Sequence, residues 1–151
     1  MSDWVSTATL MFIGHRAAEA RVMEALVAAG ADDITLAQSR LMQRLDLRNV
    51  NSTGGMRLTD LAEQARVTKQ TAGALLDQLE RSGYVVRSPD PNDARARLVT
   101  LSDKGMAVCR AAGEEIAKLE DEWRAHLGTR RFEQLREALL ALREITDPPY
   151  Q

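Results

Sequence analysis

Disulfides and membrane spans have no basis in this sequence. It contains one cysteine, Cys109, so no intramolecular disulfide can form and a reducing compartment is expected. The apolar run near its N-terminus covers only residues 10–13, which is too short for the core of a signal peptide or for a membrane span. We therefore expect a cytoplasmic protein with no membrane partner.

A strong charge of one sign and the spacings typical of catalytic sites are also missing. The formal net charge is −2, which argues against non-specific coating of nucleic acid, although a sum hides local patches. The two histidines, His15 and His126, are far apart and stand in no metal-ligand spacing, and no glycine-rich phosphate loop occurs. We therefore expect no metal, no cofactor and no enzymatic activity.

What the sequence does have is a globular composition, with 44% hydrophobic and 28% charged residues. Its length suits one domain, residues 1–151. Apolar residues recur every three or four positions through most of the chain, which predicts a mainly α-helical protein. The first helix is apolar on two sides, which indicates two packing neighbours, and Gly30 is expected to end it.

Local capping sequences predict where other helices begin. Thr35 and Gln38 form a capping box that opens a second helix, and the polar residues 48–55, which end in Gly-Gly, are expected to form a loop. Ser102 is expected to cap a long helix, and Thr129 a last helix. That last helix carries apolar residues expected to face inward: Phe132, Leu135, Leu139 and Leu142.

The centre of the chain predicts a helix-turn-helix followed by a hairpin. Thr59 and Thr68 are expected to cap two short helices, and the few residues between these helices force a steep crossing. The apolar period then changes to two. Residues 84–87 and 95–101 are predicted strands, and residues 89–93, which contain two prolines, are predicted to form the turn between them. A hairpin in this position is a wing, so the fold class is mainly α (α+β).

The second short helix has an exposed start that fits the major groove of DNA. Thr68 and the neighbouring amides could bind a phosphate at the positive helix end. Lys69 could contact the backbone, and Gln70 could present its amide to a base edge. The candidate contacts at this helix start are Thr68, Lys69, Gln70 and Thr71.

Gly73 and Ala74 follow one turn later. A glycine inside a helix costs roughly 1 kcal/mol relative to alanine. One reading is a close approach to DNA; the other is a tolerated defect or close packing against the preceding helix. Both readings stay open from the sequence.

The predicted wing carries three arginines: Arg87, Arg95 and Arg97. Arginine on a thin hairpin can enter the minor groove, where the potential is most negative. Asp93 is expected to fix an arginine by a charge-assisted bond rather than to contact DNA. The alternative is a solvated hairpin with ordinary surface charges.

Two segments resemble the MarR family of transcriptional regulators. Residues 67–85 resemble the family's recognition helix and first wing strand. Residues 89–97, followed by Val99, Leu101, Ser102 and Gly105, resemble its wing signature of Asp-x-Arg, strand and helix cap. The order of the remaining helices is similar across nearly the whole chain. Two departures are the pair Gly73-Ala74, where many members carry a polar residue and an arginine, and the long segment 48–55.

The resemblance implies a homodimer that presents two winged helix-turn-helix modules to a pseudo-palindromic DNA operator. Residues 33–101 would form the DNA-binding lobe, and residues 4–30 and 102–146 the helical dimerisation region. Arg95 matches the family's minor-groove arginine, and Asp93 and Arg97 match its wing partners.

The family also binds small aromatic effectors between its dimer helices and its DNA-binding lobe. Candidate lining residues here are Phe12, His15, Arg16, Met42 and Arg110, although core packing or solvation would explain each of them as well. Cys109 lies on the apolar stripe of the long helix and is expected to be a buried, unreactive thiol; the alternative is a redox sensor.

The leading hypothesis is a sequence-specific DNA-binding transcriptional regulator, a repressor released by a small-molecule effector. The alternative is a helical protein-interaction module that uses its winged helix to bind protein.

Overall fold

The computed structural model describes residues 4–51 and 55–147, with only the backbone of residues 47–51. This part of the chain contains six helices and three strands. Their bounds are α1 Thr7–Ala28, α2 Leu36–Asn51, β1 Met56–Arg57, α3 Leu58–Ala65, α4 Lys69–Arg81, β2 Val85–Asp90, β3 Asp93–Leu101, α5 Asp103–Leu127 and α6 Thr129–Thr146. None of these helices is both long and apolar enough to cross a membrane.

Side-chain caps begin three of the helices where the sequence predicts them. The backbone N–H of Thr35 donates to Gln38 Oε1 at 2.9 Å, and the N–H of Gln38 donates to Thr35 Oγ1 at 3.2 Å, which confirms the capping box. The hydroxyls of Thr68 and Ser102 cap α4 and α5 by accepting hydrogen bonds from the N–H groups of Thr71 and Gly105. Gly30, at φ +86°, follows the end of α1 as expected.

Two predicted caps are wrong. Helix α3 begins one residue before Thr59, with Arg57 in the cap position and no side-chain cap. Helix α6 begins at Thr129 itself, after Gly128 at φ +82°. In both cases the backbone leaves the preceding element and enters the helix directly, so the threonine already has a helical conformation.

The loop predicted over residues 48–55 is wrong over its first half, because α2 continues to Asn51. Polar residues such as asparagine cost only a few tenths of a kcal/mol each in a helix relative to alanine. A helix that already exists gains one hydrogen bond for every residue added. Residues 52–54 lie outside the described residues. Gly55, at φ +75°, leads directly into β1.

The three strands form one antiparallel sheet in the order β1-β3-β2. Strand β1 was not predicted, because a strand of two residues is too short to show an alternating apolar pattern. Its Met56 pairs with Val99 of β3. The turn predicted over residues 89–93 is also too long. Asp90 pairs with Asp93, so only residues 91 and 92 connect the strands. Strand β2 is at the edge of the sheet, where Pro89 can be accommodated without its N–H.

The core lies between α2, α3, α4 and the sheet, and α1 and α5 close it from one side. Its largest fully buried side chains are Tyr84, Leu26, Leu41, Met42, Leu45, Leu61, Leu76, Leu79 and Val99. Tyr84 donates a hydrogen bond to Asp33 Oδ1 at 2.5 Å. Burial and this bond raise the pKa of Tyr84 to about 12.

Large apolar side chains remain exposed at the start of α1 and along α6. Helix α1 packs mainly against α5 and is joined to α2 by the Glu19–Arg40 ion pair, while the apolar side chains at its start have no cover among the described residues. In α6 only Phe132 is buried, so the expectation that the later leucines face inward within the chain is wrong. The exposed fractions are 43% for Leu135, 40% for Leu139 and 39% for Leu142. The apolar period marks a face without stating what covers it.

Candidate nucleic-acid interface and apolar pocket

Helices α3 and α4 are joined by a tight connection of residues 66–68. Arg66 has a left-handed backbone conformation, with φ 55° and ψ 42°, and the N–H of Val67 donates to Ala62 O at 3.0 Å. A left-handed residue other than glycine costs of order 1–3 kcal/mol, so the surrounding packing holds this turn in place. It sends the chain into α4 as a helix-turn-helix does.

The first turn of α4 is exposed on one side and anchored on the other. The Thr68 hydroxyl accepts a hydrogen bond from the N–H of Thr71 at 3.0 Å. Lys69, Gln70 and Thr71 are exposed, and this turn contains no acidic residue. The buried face of the helix consists of Ala72, Leu76 and Leu79. The positive helix end and its polar side chains are therefore presented to solvent on a rigid support.

Gly73 is half-buried and Ala74 is exposed. A Cβ added at Gly73 would lie 3.9 Å from Leu58 Cδ2, which is an ordinary van der Waals contact. Close packing against α3 therefore does not require glycine at this position.

The wing arginines differ in what holds them. Arg95 and Arg97 on β3 are exposed, and neither side chain forms an ion pair with the part of the chain that the structure describes. Arg87 instead turns back toward α4, where its guanidinium lies 2.8 Å from Asp77 Oδ1 and 3.9 Å from Glu80 Oε2. This ion pair connects β2 to α4.

An ion pair that the sequence did not reveal fixes the end of the hairpin. Arg57 of β1 donates to Asp90 Oδ2 through Nε at 2.9 Å and Nη2 at 2.6 Å. The N–H of Asn92 donates to Asp90 Oδ1 at 2.9 Å. The Asn92 bond and the Arg57 guanidinium lower the pKa of Asp90. The Asp-x-Asn step of this turn was the available local signal, whereas Arg57 is 33 residues away.

Asp93 has a different role from the one expected. Its Oδ1 accepts a hydrogen bond from the backbone N–H of Arg95 at 3.0 Å. The carboxylates that hold arginine side chains here are Asp90, which pairs with Arg57, and Asp77, which pairs with Arg87. Asp93 instead shapes the backbone that carries Arg95.

A cavity of about 280 Å³ lies between α1, α2 and α5. Of the predicted effector-site residues, His15 and Met42 line it, whereas Phe12, Arg16 and Arg110 do not. The Arg16 guanidinium stands 5.9 Å from the centre of the Phe12 ring instead. The lining residues are His15, Ala18, Glu19, Val22, Leu26, Leu36, Ser39, Arg40, Met42, Gln43, Asp46, Val108, Cys109, Ala112, Gly113 and Ile116.

A charged network that the sequence did not reveal connects α1 to α2 in the cavity wall. Glu19 accepts two hydrogen bonds from Arg40, from Nε at 2.6 Å and from Nη2 at 2.9 Å. His15 Nε2 lies 3.1 Å from Glu19 Oε1. The Arg40 hydrogen bond is the largest cause of a lowered pKa at Glu19.

Cys109 lines the same cavity and is half-buried rather than fully buried. Burial, with a smaller contribution from Asp46, raises the pKa of its thiol to about 12. Little thiolate forms at neutral pH, which agrees with an unreactive thiol. Within residues 4–51 and 55–147, no group of three or more His, Cys, Asp or Glu side chains is placed to hold a metal ion.

The comparisons with known proteins agree with this geometry. The MarR family model matches residues 35–96. The HTH-type transcriptional regulator FarR of Neisseria gonorrhoeae is 30% identical over 101 residues, which are 67% of this chain and 69% of FarR. Transcriptional regulator PA4135 superposes with a TM-score of 0.71 at 26% identity, over 94% of this chain and 98% of the other. NadR, solved with 4-hydroxyphenylacetate, gives the same score and identity over 96% and 97%.

The family resemblance seen in the wing and recognition-helix sequences is thereby confirmed. The chain belongs to the MarR family of winged-helix transcriptional regulators.

Proposed function

We propose that this protein is a sequence-specific DNA-binding repressor, which acts as a homodimer on a pseudo-palindromic operator and is released by a small-molecule effector. The observation that carries the proposal is the start of α4. Its capped, positive end displays Lys69, Gln70 and Thr71 to solvent while the opposite face is buried. Such a helix can enter the major groove without rearrangement of the fold.

The contacts are divided between the recognition helix and the wing. Thr68, Lys69 and the α4 amides hold phosphates, and Gln70 and Thr71 face base edges. Gly73 and Ala74 leave room for the groove edge. Arg95 enters the minor groove, and Arg97 lies near the DNA backbone. Arg87 and Asp93 do not contact DNA but position the wing that carries these two arginines.

The dimer is formed by the helical region, residues 4–30 and 102–146, and residues 33–101 form the DNA-binding lobe. The main support for this dimer is the exposed apolar surface on α1 and α6. Leu10, Phe12 and Ile13 are 57%, 56% and 47% exposed, and exposed apolar patches of this kind mark interaction sites. A two-fold dimer places two α4 helices about one turn of DNA apart.

The effector site is the cavity between α1, α2 and α5. NadR, which shares the fold, was solved with an aromatic acid, and the cavity here has an apolar wall with a few polar groups, as small-molecule sites do. His15 and Met42 belong to this site. The other predicted residues, Phe12, Arg16 and Arg110, remain candidates only if the second subunit or a change of side-chain position brings them to it.

The relatives found are transcriptional regulators, so the proposed role is regulatory and not enzymatic. Because its proposed partner is duplex DNA, we place the protein in the cytoplasm.

Selection from a pool of random duplexes, followed by titration over a salt series, tests the proposal. We expect a recovered pseudo-palindrome, with log affinity falling against log salt at about 0.9 per neutralised phosphate. If no duplex is enriched and binding shows no salt dependence, the protein-interaction alternative replaces the proposal.

A further inference from the structure

One carboxylate in the cavity wall lacks a partner among the residues whose side chains the structure describes. Asp46 is half-buried on α2, and no side chain in the described part of the molecule forms an ion pair or hydrogen bond with it. The other acid of the cavity, Glu19, is neutralised by Arg40 through two hydrogen bonds. Among the described side chains, the cavity wall therefore carries one carboxylate that no cationic group pairs with.

We propose that this cavity binds a cationic, mostly apolar ligand whose ammonium group pairs with Asp46. The ligand class is a primary amine that carries a single aromatic ring. The proposal rests on the proposed function to the extent that the cavity is the effector site. A cation next to Asp46 exchanges its water for a carboxylate partner, while its ring is buried against an apolar wall.

The remaining wall fits the apolar part of such a ligand. Val22 of α1, Met42 of α2, and Val108 and Ile116 of α5 line the cavity from three sides. A volume of about 280 Å³ is near the lower end for small-molecule sites, which suits a single ring with a short chain.

An anionic ligand meets two obstacles in the same cavity. Its carboxylate would approach the half-buried Asp46 carboxylate, and like charges at short range repel. The arginine that lines the cavity, Arg40, is also already engaged by Glu19 at 2.6 and 2.9 Å. Breaking that pair would leave Glu19, whose side chain is 13% exposed, without its main partner.

The charge of Asp46 is also felt by a neighbouring group of the cavity. After burial, Asp46 is the second cause that raises the pKa of Cys109. Its carboxylate therefore acts electrostatically on a group that lines the space where the ligand would sit.

Three matched phenols test the proposal by calorimetry on the purified full-length protein without DNA. They are tyramine, 4-hydroxyphenylacetate and the neutral 4-(2-hydroxyethyl)phenol, which carry a similar ring and chain but differ in charge. We expect tyramine to bind about tenfold or more tightly than the other two, since hydrogen bonds to charged groups exceed neutral ones by that order. Asp46→Asn should remove this preference, and Asp32→Asn, an exposed carboxylate outside the cavity, should keep it.

Equal or tighter binding of the acid, a preference that persists in Asp46→Asn, or no tyramine binding at millimolar concentration overturns the proposal. If Asp46→Asn does not fold, the ranking of the three phenols on the wild-type protein decides. The same preparations are titrated with the selected duplex. Failure of the wild type to bind DNA contradicts the proposed function, whereas DNA binding without an amine preference contradicts only the ligand class.

Discussion

At the scale of single residues, the arginines of the three-stranded sheet show how neighbouring carboxylates decide whether a guanidinium is available to DNA. Arg57 and Arg87 are engaged by carboxylates of the same chain, Asp90 and Asp77. Arg95 is exposed, and the backbone that carries it is fixed by Asp93. Its guanidinium can therefore contact DNA without breaking an ion pair within the described part of the chain.

Replacement of Arg95 by alanine should weaken binding to every duplex by a similar factor. A minor-groove arginine responds to the phosphate field and to groove width, and it reads little of the base code. The slope of log affinity against log salt should fall by about one phosphate contact, roughly 0.9. Fluorescence anisotropy at two salt concentrations measures both effects.

Lys118→Ala is the matched control for Arg95→Ala. Lys118 lies on α5 and is 70% exposed, so its loss removes one positive charge away from the proposed interface. Wild-type affinity of Arg95→Ala at every site would show that the wing is not a DNA-binding element.

Which site residues the sequence could predict depended on the range of the signal. The exposed start of α4 follows from the cap at Thr68 and the apolar spacing behind it, both of which are local. The Arg57–Asp90 pair and the Glu19–Arg40 pair join residues 33 and 21 positions apart. Such pairs exist only once the sheet and the helix packing have formed.

At the scale of elements, Gly73 offers a test of what α4 is built for. A Cβ at this position meets only an ordinary contact with Leu58, so Gly73→Ala should stabilise the fold by about 1 kcal/mol through helix propensity. If the glycine serves close approach to DNA, the same change should lower affinity for the selected duplex. Thermal unfolding and anisotropy measure the two effects.

Gly113→Ala is the control for the change in α4, because an added Cβ there meets nothing within 4 Å and Gly113 lies on α5. It should stabilise the protein without weakening DNA binding. A Gly73→Ala protein that is more stable and binds DNA as well as wild type would identify Gly73 as a tolerated defect.

The elements themselves were predictable where their start signals are local. The caps at Thr35 and Ser102 could be predicted because each hydrogen bond joins residues only three positions apart, so the residue types that form it stand close together in the sequence. Strand β1 was missed because it depends on the pairing of Met56 with Val99, far along the chain. Helix α3 begins earlier than predicted because Arg57, the last residue of β1, takes its cap position. The hairpin was predicted, but its turn is shorter because the ladder extends to Asp90 and Asp93.

At the scale of the whole molecule, periodicity revealed apolar faces but not their partners. The later leucines of α6 were expected to face this chain's own core, yet Leu135 is 43% exposed. Helix α1 likewise has a second apolar side that nothing in the described structure covers. A second copy of the chain is the occupant that the proposed dimer supplies.

Leu135→Asp or Leu139→Asp should prevent dimerisation while leaving each subunit folded. Both leucines are partly exposed in the single chain, whereas an unpaired charge buried in an apolar interface is strongly unfavourable. Light scattering at micromolar concentration should show a dimer for wild type and a monomer for the variants. The control is Gln134→Asp, at an exposed position next to this face, and this variant should remain a dimer. A wild-type protein that is a folded monomer would contradict the proposed architecture.

The central claim is that α4 reads DNA sequence, and titration of wild type and Gln70→Ala against the selected duplex and its single-base variants tests it most directly. An amide that bonds an adenine discriminates by about 1–3 kcal/mol. The account predicts that Gln70→Ala loses this discrimination at one position in each half-site and keeps it elsewhere. Equal binding of selected and scrambled duplexes by wild type, or unchanged discrimination by Gln70→Ala, would contradict it.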